Sequence, residues 1–233
     1  MNQIIPPINN ALQAMIRGFV EGTAGMPEKE GDQLLERLTT LLSRSGDFKS
    51  KLADLEKSLD DHPAFEPLYH YLFDLLMLSF IASDAAQLDE NYLDSEEWMK
   101  IEDETSDRGS ELLNLYIYLS EAYEQEIPVD LNDYLTEFLL ADDDLYQDDF
   151  FIYEEIISNE DIAEASISEI VQLGENVKTE ELTEIFVPLL AFFITHESRE
   201  EVKKTILHSQ HQKALHLALY GTLCAFADGL QAS

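Results

Sequence analysis

From Leu68 to Ala82 the chain reads LYHYLFDLLMLSFIA, and only His70, Asp74 and Ser79 in it are polar. Read as a helix, this stretch is apolar on nearly every side, which places it inside a protein rather than on its surface. Its 15 residues fall short of the about 20 that a membrane-spanning helix requires. A second run, Leu182 to Ile194 (LTEIFVPLLAFFI), has the same character. Pro188 within it removes one backbone hydrogen bond and predicts a bend. These two segments are the expected inner helices.

Helical spacing and cap residues divide the rest of the chain. A first helix is expected over Ile8–Glu21, closed by the Gly22 to Gly25 turn, with Met26–Gly31 as loop or irregular first turn. Leu34, Leu35, Leu38, Leu41 and Leu42 form the stripe of a second helix. Asp47 is placed to cap a third that reaches Leu59. The central helix is expected over Ala64–Ala82, with Pro67 in its first turn, where the missing N–H does no harm. A short helix over Ser95–Glu104 buries Trp98 and Ile101 on one side. Leu112–Tyr123 also suits a strand, because LNLYIYLS alternates; helix is preferred, since no second strand-like run lies near it.

Further on, Asp130 is placed to cap LNDYLTEFLLA, and helices are expected over Leu145–Ser158 and from a cap at Ser158 or Asp161 to Gly174. Ser198 and Glu201 have capping-box spacing and open a helix to His208. A last helix covers Lys213–Ala227. The prediction is an all-α bundle of roughly ten helices, orthogonal or layered, with no significant sheet. It is expected to form one helical domain over 1–233, with any division into two lobes falling near 105–130.

Charge changes the picture more than size does. The 233 residues are 45% hydrophobic and 10% aromatic, enough for a sizeable core. Against 48 Asp and Glu stand 14 Lys and Arg, a formal net charge of −34. From Asp84 to Asp161 there are 26 acidic residues and two basic ones, Lys100 and Arg108, a net of −24. Such a field repels nucleic-acid phosphate and anionic lipid, so ordinary nucleic-acid binding and membrane-surface binding are excluded as expectations. Cationic proteins, metal ions and simple solubility remain open.

Cys224 is the single cysteine, which rules out an intrachain disulfide and suits a reducing cytoplasm. The start, MNQIIPPINN, lacks the basic and apolar regions of a secretory signal. No phosphate loop, dinucleotide fingerprint, HExxH, CxxC or recognisable nucleophile setting is found, so a non-enzymatic role is expected.

Candidate chemistry lies in three places. Glu66, His70 and Asp74 fall four apart, along one edge of a continuous helix. They make either half of a divalent-metal site, the cofactor of a metal-binding alternative, or the helix's one polar stripe. His196, His208, His211 and His216 gather with Arg199, Lys203, Lys204 and Lys213 in the only basic neighbourhood. No third zinc ligand is identifiable there. It is instead the natural docking surface for the acidic middle, within one chain or between two copies.

The third place is the segment with Asp142, Asp143, Asp144, Tyr146, Asp148, Asp149, Phe150 and Glu154. A calcium-binding helix-loop-helix needs oxygen ligands at its first, third and fifth positions, Gly at the sixth and Glu at the twelfth. Neither Asp142 nor Asp144 as first ligand satisfies this. Interleaved rings and carboxylates suit instead a basic protein partner, aromatics supplying binding energy and charges orienting the encounter. If the rings face inward, this face is only solvated. The functional expectation is therefore a protein-interaction or regulatory module that binds a cationic partner through its acidic middle. The rivals are a metal-binding helical protein and a nucleic-acid mimic.

An apolar helix end, an Ala and an Asp recur in FIASDAAQLDENYLDSEEW, FLLADDDLYQDDFFIYEEI and CAFADGLQAS, at unequal spacing. In outline this resembles the helix, Ala-Asp-Gly turn and acidic helix of the TerB-like (tellurite-resistance) helical family. Only one copy has the Gly, as Gly229, and the third lacks the downstream Glu.

Overall fold

The computed structural model describes residues 5–85, 88, 91–139, 152–159, 162, 164–194 and 197–232. The architecture is all-helical, with no strand among the described residues. In chain order the helices are α1 (Pro6–Gly22), α2 (Glu28–Ser43), α3 (Phe48–Asp60), α4 (Tyr69–Phe80), α5 (Glu96–Thr105) and α6 (Leu112–Glu124). They continue with α7 (Leu131–Leu139), a helical stretch over 152–157, α8 (Ile167–Gly174), α9 (Glu180–Thr183), α10 (Phe186–Phe193), α11 (Arg199–His208) and α12 (Lys213–Gln231).

Cap chemistry sets most boundaries where the residues place it. Asp47 accepts from the Ser50 N–H at 2.9 Å to start α3, and Ser95 accepts from the Trp98 N–H at 3.1 Å to start α5. Ser198 and Glu201 form the reciprocal capping box of α11. Asp130 accepts from the Asn132 N–H at 2.9 Å ahead of α7. The residues that could have paired as a strand, LNLYIYLS, lie within α6, whose inward face carries Leu115, Tyr118 and Leu119.

Four boundaries differ from expectation, each for a local reason. At Met26–Gly31, read as loop or irregular first turn, the first turn of α2 is found from Glu28, with Pro27 as cap and Glu28 and Glu30 favouring the helix N-terminus. Ala64–Ala82 is not one α-helix. Pro63 and Pro67 lack the N–H groups that α-helical bonding uses, and Pro63–Leu68 winds as a tighter 3₁₀ helix before α4 begins. The far end, Ile81–Ala85, loosens into a π turn.

The disruption expected from Pro188 falls one turn before it, as a break between two helices rather than a bend within one. Chain 180–193 splits into α9 and α10, and Pro188 is the third residue of α10, where an N–H has no partner inside the helix. The helix ending at Gly174 starts at Ser166, not at Ser158 or Asp161. Ser166 finds Glu169 three residues on and closes a capping box.

The interior has more than two inner rods. α4 buries Tyr71 through Met77, Ser79 and Phe80, and packs against α1, α2, α3 and α6. α10 buries Phe186 through Ala191. α12 joins them as a second hub, packed on α1, α6, α10 and α11. The α1 and α12 helices run antiparallel at close range. A methyl group on Gly18 would stand 2.9 Å from both the Ala218 Cα and the Leu217 carbonyl oxygen, and one on Gly229 would stand 2.6 Å from the Pro7 Cα. Only residues without a Cβ let the two backbones meet this way.

Rings fix the remaining helices to the hubs. Phe80 stacks on Trp98 at 5.4 Å, and Phe48 meets Trp98 edge-on at 5.6 Å, joining α3, α4 and α5. Tyr134 stacks on Phe193 at 5.8 Å and meets Tyr153 edge-on at 5.7 Å, which ties α7 and the 152–157 stretch to α10.

Candidate functional site

The N-terminal half of α4, the turn that joins α5 to α6 and the α9 segment enclose a cleft of about 600 Å³. Its walls carry Asp107, Glu111, Glu180, Glu181 and Glu184, and among the described residues no Lys or Arg lines it. Arg108, the cation nearest in sequence, is directed elsewhere: its guanidinium donates to Glu56 of α3 and, at 3.2 Å, to the Tyr69 hydroxyl.

The turn is locked in place from beneath. Asp74, fully buried on α4, accepts from the Ser110 N–H at 3.0 Å and from the Ser110 hydroxyl. Burial pushes the Asp74 carboxyl up to about 8, the Ser110 hydrogen bonds pull it the other way, and Glu111 adds a smaller upward push. Gly109 passes so close that a methyl there would meet Asp74 Oδ1 at 3.3 Å. His70 holds the same turn from the side, its Nδ1 2.9 Å from the Arg108 carbonyl oxygen. That contact puts the ring proton on Nδ1 and leaves Nε2 as acceptor.

Two of the wall carboxylates are fixed by tyrosines. The Tyr71 hydroxyl donates to Glu184 Oε2 at 2.6 Å, and burial with this carboxylate holds the phenol well above its ordinary range. Glu111 Oε2 accepts from Tyr153 at 3.1 Å and from Asn114 at 3.3 Å, while Tyr134 donates to the Tyr153 hydroxyl at 2.8 Å. The start of α9 is held by another chain segment: Glu155 Oε1 accepts from the Lys178 N–H, the Thr179 N–H and the Thr179 hydroxyl, each at 2.9 Å. Those donors hold the Glu155 carboxyl below its usual range even though burial opposes them.

The expected Glu66, His70 and Asp74 group does not assemble. Glu66 lies in the 3₁₀ turn, so the four-residue spacing no longer carries it onto one edge with His70. Glu66 and His70 are exposed, whereas both Asp74 oxygens turn inward to Ser110. No group of three or more His, Cys, Asp or Glu side chains among the described residues is arranged to hold a metal ion. Of the expected partner-binding residues, Asp142, Asp143, Asp144, Tyr146, Asp148, Asp149 and Phe150 lie outside the described residues. Glu154 is exposed, and its neighbour Tyr153 is fully buried.

The ion pairs of the acidic middle run mainly to α3. Lys51 reaches Asp84 in the interior, Lys49 reaches Glu104 at 2.7 Å, and Arg108 reaches Glu56. In the basic C-terminal third, Arg199 takes Asp228 with both guanidinium nitrogens, at 2.5 and 2.8 Å. Asp84 and Asp228, two of the three recurring Ala/Asp positions, thus serve different surroundings: a buried ammonium for one, an exposed guanidinium for the other.

Sequence reasoning missed Ser110, Glu155, Glu184 and Lys51. For Lys51 a signal was present, since it shares the α3 face of Phe48, Leu52, Leu55 and Leu59. Glu184 and Glu155 carry none, because each looks like any surface carboxylate of an acidic chain. No helix among the described residues is long and apolar enough to cross a membrane. No known family model, curated protein or solved structure matches this chain.

Proposed function

We propose that this protein is a non-enzymatic interaction module, and that its acidic region receives a Lys- or Arg-bearing segment of a partner protein at the cleft between α4, the 106–111 turn and α9. The observation that carries this reading is a concavity with five carboxylates and no Lys or Arg among the described residues of its walls. Glu111 and Glu184 are pre-positioned by Tyr153 and Tyr71, so a cationic side chain meets oriented acceptors and loses little more than its own freedom. Glu180 and Glu181 are exposed at the rim and add long-range attraction. Asp74 is closed off beneath the turn by Ser110 and does not open into the cleft.

The test is a titration of the full chain with a labelled Lys/Arg-rich peptide, followed by fluorescence anisotropy. Binding should weaken severalfold between low and roughly 0.15 M ionic strength, where the Debye length is about 8 Å. The double substitution Glu180→Gln, Glu181→Gln should weaken it further without changing the fold. Affinity indifferent to both salt and the double substitution would overturn the proposal.

A further inference from the structure

Residues 209–212 turn the chain from α11 into α12, and the N-cap of α12 is unusual. Gln212 has φ +40°, in the left-handed region, and its side chain makes no capping bond to the first amides of the helix. Side chains of a helix lean toward its N-terminus, so His216, the fourth residue of α12, lies over the Gln212 turn. His216 is 2% exposed, and neither ring nitrogen has a partner. The Gln212 side-chain oxygen is buried and equally without one. The His211 ring faces His216 edge-on, 6.2 Å between centroids. Buried polar atoms in folded proteins are nearly always paired, so three together at one helix end point to a small polar ligand.

Charge decides what kind. The N-terminus of a 19-residue helix carries a partial positive charge and unsatisfied N–H groups. Lys213 is its first residue, and Lys204 and His208 close the preceding helix. None of Lys203, Lys204 and Lys213 is in an ion pair among the described residues. Among the described residues, the titratable group that acts on His216 is His211. A metal cation would meet the like partial charge of the helix N-terminus. An anion would meet two imidazoles, helix amides and, after a half-turn of the Gln212 amide, its NH₂ group.

We propose that the α12 N-terminus, His211 and His216 form a binding site for a small oxyanion of the phosphate class, with Lys213 at its mouth. Without the anion, burial and the His211 charge hold His216 neutral, down to about 4. A bound anion favours the imidazolium forms, so occupancy is coupled to proton uptake and rises as pH falls toward 5.5. This is independent of the acidic cleft and of any cationic partner.

The experiment follows the His ring resonances and the melting temperature of the full chain during titration with sodium sulfate, whose charge is constant over the range, at pH 7.5 and 5.5. Sodium chloride at matched ionic strength is the control. The His211 and His216 resonances should saturate with sulfate, about fourfold more tightly at the lower pH if the anion raises His216 by about two units from its anion-free value near 4. Inorganic phosphate and phosphoserine should compete for the same site, and the tighter competitor names the free or the peptide-borne source. His216→Phe should abolish saturation. Because that change is in the interior, His211→Asn on the half-buried residue serves as second variant and should weaken binding about tenfold. Equal responses to chloride and sulfate would mean only screening of the −34 charge, and, like unaltered sulfate binding by His211→Asn, would overturn the site.

Discussion

Lys51 and Asp84 are joined as an ion pair inside the protein, with side chains 0% and 4% exposed and 33 positions apart in sequence. α3 contributes the ammonium and the π turn after α4 the carboxylate. Removing two charges from water costs more than a surface pair returns, so this contact is a matter of matching rather than of net attraction. Asp84→Asn should destabilise the fold by about 3–5 kcal/mol, because it leaves a buried ammonium unmatched. The double substitution Lys51→Met, Asp84→Leu should recover most of that loss. Urea unfolding of the two variants separates these outcomes; equal losses would refute the account.

Asp74 sets a pH dependence of the opposite sense to ordinary acid denaturation. Its carboxyl is raised to about 8 in the folded protein from an ordinary 3.8, so the native state binds the extra proton between these values. The stability this group lends is complete below about 4 and is lost as pH rises through 8, with a slope of at most about 1.4 kcal/mol per pH unit. Asp74→Asn should flatten that fall, and the variant should melt above the wild type near pH 8. Melting curves between pH 5 and 9 check the sign.

Glu155 works the other way. Its folded carboxyl is lowered from the ordinary 4.5 by the donors of Lys178 and Thr179, so its contribution is present above about 4.5 and fades as pH falls below it. Glu155→Ala should cost about 1–3 kcal/mol at neutral pH, since two backbone N–H groups lose their acceptor. Hydrogen exchange should accelerate at the Lys178 and Thr179 amides before it does elsewhere.

Gly18→Ala tests the contact between the first and last helices. Alanine is the better helix former by about 1 kcal/mol, yet its methyl would press on the Ala218 Cα and the Leu217 carbonyl at 2.9 Å. Backbone cannot step aside as a side chain can, so a net loss of about 1–3 kcal/mol is expected. Gly46→Ala, with open space around the added methyl, is the control and should be neutral or mildly stabilising. Thermal melts of both variants suffice.

Helices and their caps were legible because their signals are local. Asp47, Ser95, Asp130 and the Ser198 and Glu201 pair each announce a helix start within four residues, and Trp98 and Ile101 declare the inner face of α5. Where a proline competes with an apolar run the pattern misleads: hydrophobicity continues through Pro67 and Pro188 while the backbone bonding does not. The cleft was not legible at all. Its walls come from Asp107, Glu111 and Glu184, brought together by Asp74 gripping Ser110 and by Tyr71 reaching a carboxylate 113 positions away. No spacing rule connects such residues, and in a chain with 48 carboxylates composition does not single them out.

The pairing of α1 with α12 sets an entropic hurdle for folding. The apolar side of α1, with Ile8, Leu12, Met15 and Phe19, packs on a helix far downstream in sequence, and every contact between them closes a long loop. Until that loop closes, part of the apolar surface of α1 lacks its α12 cover, a stage at which a net charge of −34 would set copies of the chain against one another.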